Sequence, residues 1–140
     1  MAAATSIMRA QQLVVGAVDR ALRPFGLTFA RYEALVLLLF SRAGTLPMGK
    51  IGERLMVHPT SVTNTIDRLE EQGLVRREPS PLDRRIVLAR LTDDGRSLAR
   101  SATAAVEETR FGVGGLSERQ LDQLTAVVAA LRRSHGDFAT

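Results

Sequence analysis

The sequence predicts a mainly α fold carrying a small two-stranded β hairpin, and three observations lead there. Apolar residues recur at helical spacing along most of the 140 residues. Gly and Pro punctuate the chain at lengths that suit short helices, as at Pro24, Gly44, Pro59 and Gly73. Two runs of strand character, residues 75–78 and 86–91, flank a turn holding Pro79, Ser80, Pro81 and Asp83.

Residues 6–23 read as a first helix, with Ile7, Ala10, Val14, Ala17, Val18, Ala21 and Leu22 on a wide apolar face, and Pro24 ends it. Thr28 is placed to cap a second helix reaching about Arg42, with Gly44 just past its end. That helix is apolar nearly all round from 34 to 40, which predicts a central, buried position. Pro47 suits the first turn of a short third helix, where its missing N–H would be unpaired anyway. Ile51 and Leu55 point inward there, and Gly52 costs that helix about 1 kcal/mol, which a closely packed neighbour would explain.

A fourth helix opens near His58 with Pro59 in its first turn. Val62, Ile66 and Leu69 give it an inward stripe, and Gly73 closes it. The hairpin follows. Thr92 caps a fifth helix running to about Arg110, whose apolar positions Leu98, Ala102, Ala105 and Val106 are mostly small. Gly112, Gly114 and Gly115 break the chain. Ser117 and Gln120 form a capping box for a last helix that carries Leu121, Leu124, Val127, Val128 and Leu131 to about Ser134.

A short helix, a reading helix and then a basic hairpin is the order of a winged helix-turn-helix. It spans about 28–95, between terminal helices at about 5–23 and 93–135, in one domain covering 1–140. The terminal helices carry apolar faces that a three-helix core leaves uncovered, which predicts a homodimer.

Composition narrows the chemistry. Five Phe, one Tyr and no Trp leave the core to Leu, Val, Ile and Ala. The absence of Cys excludes thiolate redox sensing, and two separate His do not make a structural zinc site. The net charge is +4, and Lys50 is the only lysine among 19 basic residues. Arginine's planar fork suits phosphates and base edges, although GC-rich coding also replaces Lys by Arg. Residues 74–92 hold Arg76, Arg77, Arg84, Arg85 and Arg90 against Glu78 and Asp83, a local balance of +3. Residues 1–10 lack the basic start and apolar run of a signal peptide, and the apolar run 34–40 is far shorter than the ~20 residues that span a bilayer. The expectation is a soluble cytoplasmic protein with no membrane contact, metal or cofactor.

The outward face of the fourth helix shows Thr60, Ser61, Thr63, Asn64 and Arg68. These short hydrogen-bonding side chains suit a major groove, where a helix must approach base edges closely. Arg84 and Arg85 sit at the hairpin tip, where an arginine can enter a minor groove or meet phosphate. Asp83 beside them fits an anion binder only if it orients an arginine through a charge-assisted hydrogen bond. Arg76 and Arg77 alternate on a strand, so at most one of them faces phosphates.

On these residues the span from Pro47 to Gly95 resembles the MarR family of bacterial transcription regulators. Asp83-x-Arg85 followed by Leu91-Thr92-x-x-Gly95 matches that family's wing signature. The run Val62, Thr63, Ile66, Asp67, Leu69, Glu70, Gly73, Leu74, Val75 matches its reading helix and first wing strand. The resemblance implies a triangular homodimer joined by the first, fifth and sixth helices, with the reading helix in the major groove and the wing in the minor groove. It places Thr60, Ser61 and Asn64 at base contacts and Arg85 at the wing arginine. Many relatives carry Arg at the position of Asn64, so the operator does not carry over, since Asn prefers adenine and Arg guanine. It also implies a regulator, most simply a repressor, of a pseudo-palindromic operator on double-stranded DNA.

Many such proteins respond to small aromatic or phenolic anions bound between the dimer helices and the DNA-binding lobe. Arg9, Gln12, Phe29 and Tyr32 are the candidates here, with Met8 and Phe25 nearby; each is also a plausible packing residue. His58 opens the reading helix either as a cap or as a phosphate donor. No carboxylate pair, Ser-His-Asp order or phosphate loop points to an enzyme. The alternative function, a winged-helix protein-interaction module without DNA binding, predicts a disrupted wing or an acidic reading face.

Overall fold

The structure, a computed structural model, describes residues 1–137, so the end of the expected 1–140 span lies outside the described residues. α1 (Ala2–Leu22) starts ahead of the expected Ser6 because Ala2, Ala3 and Ala4 are strong helix formers. A 3-10 turn (Arg23–Phe25) and Gly26 at φ 67° lead to α2 (Phe29–Leu39). Thr28 caps α2 through Oγ1, which accepts the Arg31 N–H at 3.4 Å. Contrary to expectation, α2 stops at Leu39 and does not reach Arg42. The Ser41 hydroxyl donates to the Leu38 carbonyl at 2.7 Å, and Ala43 and Gly44 turn the chain with φ of 56° and 66°.

That turn sets up the main correction to the sequence reading. Thr45–Pro47 is a strand, β1, and the sheet has three strands where two were expected. Pro47 ends β1 and stands just before α3 (Met48–Leu55), in extended backbone at φ −58° and ψ 141°. An edge strand's last residue is a place where Pro is tolerated. α4 (Pro59–Glu71) is followed by β2 (Val75–Pro79) and β3 (Val87–Leu91). β3 is the central strand, antiparallel to both neighbours, pairing Thr45 with Arg90 on one side and Val75 with Leu91 on the other.

α5 (Asp93–Glu108) is capped by Thr92, whose Oγ1 accepts the Gly95 N–H at 3.0 Å. After a 3-10 turn (Arg110–Gly112), the expected Ser117–Gln120 capping box opens α6 (Glu118–Ser134). The core runs through the middle of the chain: Leu22, Leu35, Leu38, Ile51, Ile66, Leu69, Val75 and Val106 are fully buried. Two glycines are fixed by close packing. A Cβ on Gly52 would stand 3.3 Å from both the Val57 carbonyl and Val62 Cγ2, the close approach of α4 that its position predicts. A Cβ on Gly95 would stand 2.1 Å from the Leu74 carbonyl oxygen, which no side chain can occupy.

The terminal helices differ from this core. No residue of α6 is buried, and Ile7, Met8 and Leu13 of α1 are exposed together with Leu124, Val127 and Leu131 of α6. No helix among the described residues is long and apolar enough to cross a membrane.

Candidate nucleic-acid interface

α4 presents its reading face because Val62, Ile66 and Leu69 anchor the opposite side in the core. Thr60, Ser61, Thr63, Asn64 and Arg68 are all exposed. His58 resolves as the helix cap: its Nδ1 accepts the Thr60 N–H at 3.1 Å. The Thr63 hydroxyl donates back to the Pro59 carbonyl at 3.1 Å, which leaves its methyl and a lone pair for a ligand. Among the described residues, the side chains of Thr60, Ser61 and Asn64 have no partner within the chain. Arg68 meets Glu71 at 3.0 Å in an exposed i,i+3 pair, worth little in water and easily exchanged for a phosphate.

Ser61 has a second neighbourhood. With Thr65 it borders a cavity of about 60 Å3 behind α4, closed by Ile51, Leu55 and Glu33 of the adjoining helices. Burial pushes the Glu33 carboxyl above its ordinary pKa.

The wing tip is held by its own hydrogen bonds. The Ser80 N–H donates to the Ile86 carbonyl at 2.8 Å, and the Ile86 N–H donates to the Asp83 carbonyl at 2.9 Å. Asp83 performs the orienting role its position suggested. Its Oδ1 accepts the Arg85 backbone N–H at 3.1 Å and Nε at 3.2 Å, and its Oδ2 accepts Nη2 at 3.2 Å. These side-chain and backbone bonds from Arg85 hold the Asp83 carboxyl below the usual carboxylate range. The Arg85 side chain is nonetheless 92% exposed, so it is aimed without being covered. Arg84 has no partner among the described residues.

Arg76 and Arg77 part company as strand alternation requires. Arg76 is exposed, while Arg77 is half-buried and faces α4. The Arg77 backbone N–H donates to Glu70 Oε2 at 2.8 Å. Its guanidinium reaches Glu70 Oε1 and the Thr63 carbonyl, both at 3.4 Å, and also pairs with Asp67. One arginine thus ties the first wing strand to three points along the reading helix. On the other face of the sheet, Arg90 binds Glu78 through Nε at 2.7 Å, and that hydrogen bond keeps the Glu78 carboxyl low. Sequence reasoning missed the Arg77 clamp, although its two carboxylate acceptors, Asp67 and Glu70, were both in the pattern that matched the family. The acceptor pair is Asp67 with Glu70, three apart and so on one face of the helix.

The effector candidates are dispersed in a single chain. Arg9 and Gln12 lie exposed on α1, as does Met8, while Phe25 and Phe29 are half-buried. The Phe29 N–H donates to Asp19 Oδ1 at 2.6 Å, and the buried Tyr32 shares a 2.9 Å hydrogen bond between its hydroxyl and that of Thr103 on α5. These last contacts lie on the seams of α2 with α1 and α5. No group of acidic and histidine side chains among the described residues is arranged to hold a metal ion.

A helix whose exposed face carries short hydrogen-bonding side chains, clamped to an arginine-tipped hairpin, defines a winged helix-turn-helix DNA-binding protein. The comparisons with known proteins give the family. The MarR family model matches residues 29–87. The chain is 54% identical to Sco5413, a MarR family transcriptional regulator from Streptomyces coelicolor, with 99% of this chain and 96% of that one covered and a TM-score of 0.93. It is 28% identical to Sco3205, a MarR family regulator of the same organism in complex with DNA, with 93% and 83% covered and a TM-score of 0.83. It is also 34% identical over 115 residues to the HTH-type transcriptional regulator YhbI of Bacillus subtilis, 80% of this chain and 72% of that one. The chain belongs to the MarR family of transcriptional regulators.

Proposed function

We propose that this regulator acts as a homodimer on a pseudo-palindromic operator in the cytoplasm, as a repressor that blocks transcription by occupancy. Each reading helix enters a major groove with Thr60, Ser61, Thr63 and Asn64 toward the bases, and Arg68 meets the backbone. Each wing lays Arg84 and Arg85 in the adjacent minor groove. The observation that carries this reading is the Arg77 clamp joined to the Asp83-held Arg85: helix and wing are fixed to each other before DNA arrives, so little ordering is needed on binding. The uncovered apolar stripes of α1 and α6 support the second copy. The single-domain layout, with a DNA-binding lobe at about 28–95 and dimer helices on either side, is part of the same proposal.

Selection of bound sequences from random duplex DNA by the purified protein tests it. The expected result is a palindrome whose half-sites lie about one helical turn apart. Against that operator, Asn64→Ala should relax choice at one base pair by roughly 1–3 kcal/mol, whereas Arg85→Ala should weaken binding to many sequences alike. Enrichment of no sequence, together with salt-independent binding, would refute DNA recognition.

We infer further that a small aromatic or phenolic anion releases the operator by binding at the seam bordered by Phe29 and Tyr32. The Tyr32–Thr103 hydrogen bond supports this, because a ligand that displaced it would shift α2 against α5. Titration of phenolic acids against the protein–operator complex tests the idea. Unchanged affinity with every acid would remove it.

A further inference from the structure

Leu82 stands at the wing tip with 97% of its surface exposed, the most open large apolar side chain among the described residues after Met1. Exposed leucines at flexible tips are common, but this tip is not loose. Pro79 and Pro81 bracket Ser80, which is buried, and Ser80 Oγ accepts the Leu82 N–H at 3.3 Å. With the Ser80–Ile86 and Asp83–Ile86 bonds, the backbone on both sides of Leu82 is fixed. Asp83 and Arg85 belong to a rigid turn whose tip side chains Leu82 and Arg84 are left without a partner among the described residues. Ile86 and Val87, 43% and 42% exposed, continue the apolar surface back along the hairpin.

A preorganised apolar knob beside two arginines fits one kind of surface: the minor groove. Its walls are deoxyribose C–H groups and its rim is phosphate, so an aliphatic side chain meets sugar while the guanidiniums meet charge. We propose that Leu82 is a specificity-determining residue of the wing. It presses into the minor groove against the sugars or a base step, and it favours sequences that widen or unstack there at low cost. Pyrimidine–purine steps such as TA and CA are the ones that deform most easily. This rests on the DNA docking proposed above. It adds a contact that is read through shape and carries no charge.

The distinction is measurable. Leu82→Ala, in the full chain, should weaken operator binding about tenfold per wing while leaving the slope of log K against log salt unchanged, since no counterion is involved. Arg84→Ala should instead make that slope shallower by about one per wing. Leu82→Met should restore binding, and Leu82→Asn should not. Sequences selected by Leu82→Ala should lose preference at the outer positions under the wing and keep the inner major-groove positions. At 97% exposure, the substitution does not threaten folding. Equal operator affinity and equal selected sequences for Leu82→Ala and the parent would overturn the proposal. So would a loss of self-association in Leu82→Ala with operator affinity unchanged, because the knob would then serve a protein contact. If Asn64→Ala and Arg85→Ala are silent as well, the failure belongs to the docking as a whole.

Discussion

α4 and α6 are built from similar sequences and end in different circumstances. Each is an amphipathic helix with a leucine and β-branched stripe and a capped first turn. α4 buries Val62, Ile66 and Leu69 completely, whereas α6 buries nothing and leaves Val127 68% exposed. α6 nevertheless carries the fuller start signal, a reciprocal capping box, while α4 relies on His58 and Pro59. Local signals thus decide that a helix forms, and neighbours decide what its stripe is for. In α4 the stripe is used within the chain and the polar face is free for a ligand. In α6 the stripe itself remains to be covered, and a helix of this length gains most of its stability from such packing.

The sharpest test of this contrast is to remove apolar bulk from each stripe. Ile66→Ala should cost about 4 kcal/mol in denaturant unfolding at fixed protein concentration, because the side chain is fully enclosed and the cavity cannot collapse. Gly95→Ala should follow at about 3 kcal/mol, since the added methyl meets backbone and not a yielding side chain. Val127→Glu with Leu131→Glu should leave the central lobe folded and weaken self-association by tenfold or more, about 1.4 kcal/mol, in sedimentation equilibrium. If that pair instead lowers chain stability as much as Ile66→Ala, α6 is covered within its own chain and the contrast fails. Ser117→Ala should remove about 1 kcal/mol, read as earlier fraying of α6 by hydrogen exchange.

The smallest effect lies behind α4. Burial raises the folded-state pKa of Glu33 above its unfolded value, so the folded chain holds that proton more tightly. Stability from this group is therefore present at acid pH and is lost as pH rises through the folded value. Glu33→Gln should stabilise the protein at neutral pH by well under about 1 kcal/mol, since the group is half-exposed. The advantage should vanish as thermal midpoints are followed down through the carboxylate range. An advantage that grows toward acid would reverse the assignment.

Much of this was legible because it is local. Thr28, Thr92 and Ser117 announce helix starts through side-chain oxygens that reach three residues along the chain. The Asp83–Arg85 hook lies within three residues, so the sequence carried it too. The features that escaped depend on distance. β1 holds only three residues and exists because β3, more than forty residues later, offers it an edge. The early end of α2 follows from that detour. Arg77 belongs to a strand pattern that fixes which face it occupies, but what waits on that face is set by the angle between α4 and the sheet.

The start of α5 has a mechanical meaning. Thr92 donates its hydroxyl to the Gly73 carbonyl at 2.8 Å and its N–H to the Leu74 carbonyl at 3.1 Å, and Gly95 lets α5 close against that same stretch. The end of the reading helix and the beginning of α5 are therefore riveted at one spot. Any tilt of α5, whatever its origin, is geared directly to α4, with no slack loop to absorb it. A small swivel near the far end of such a lever is enough to re-aim the reading helix.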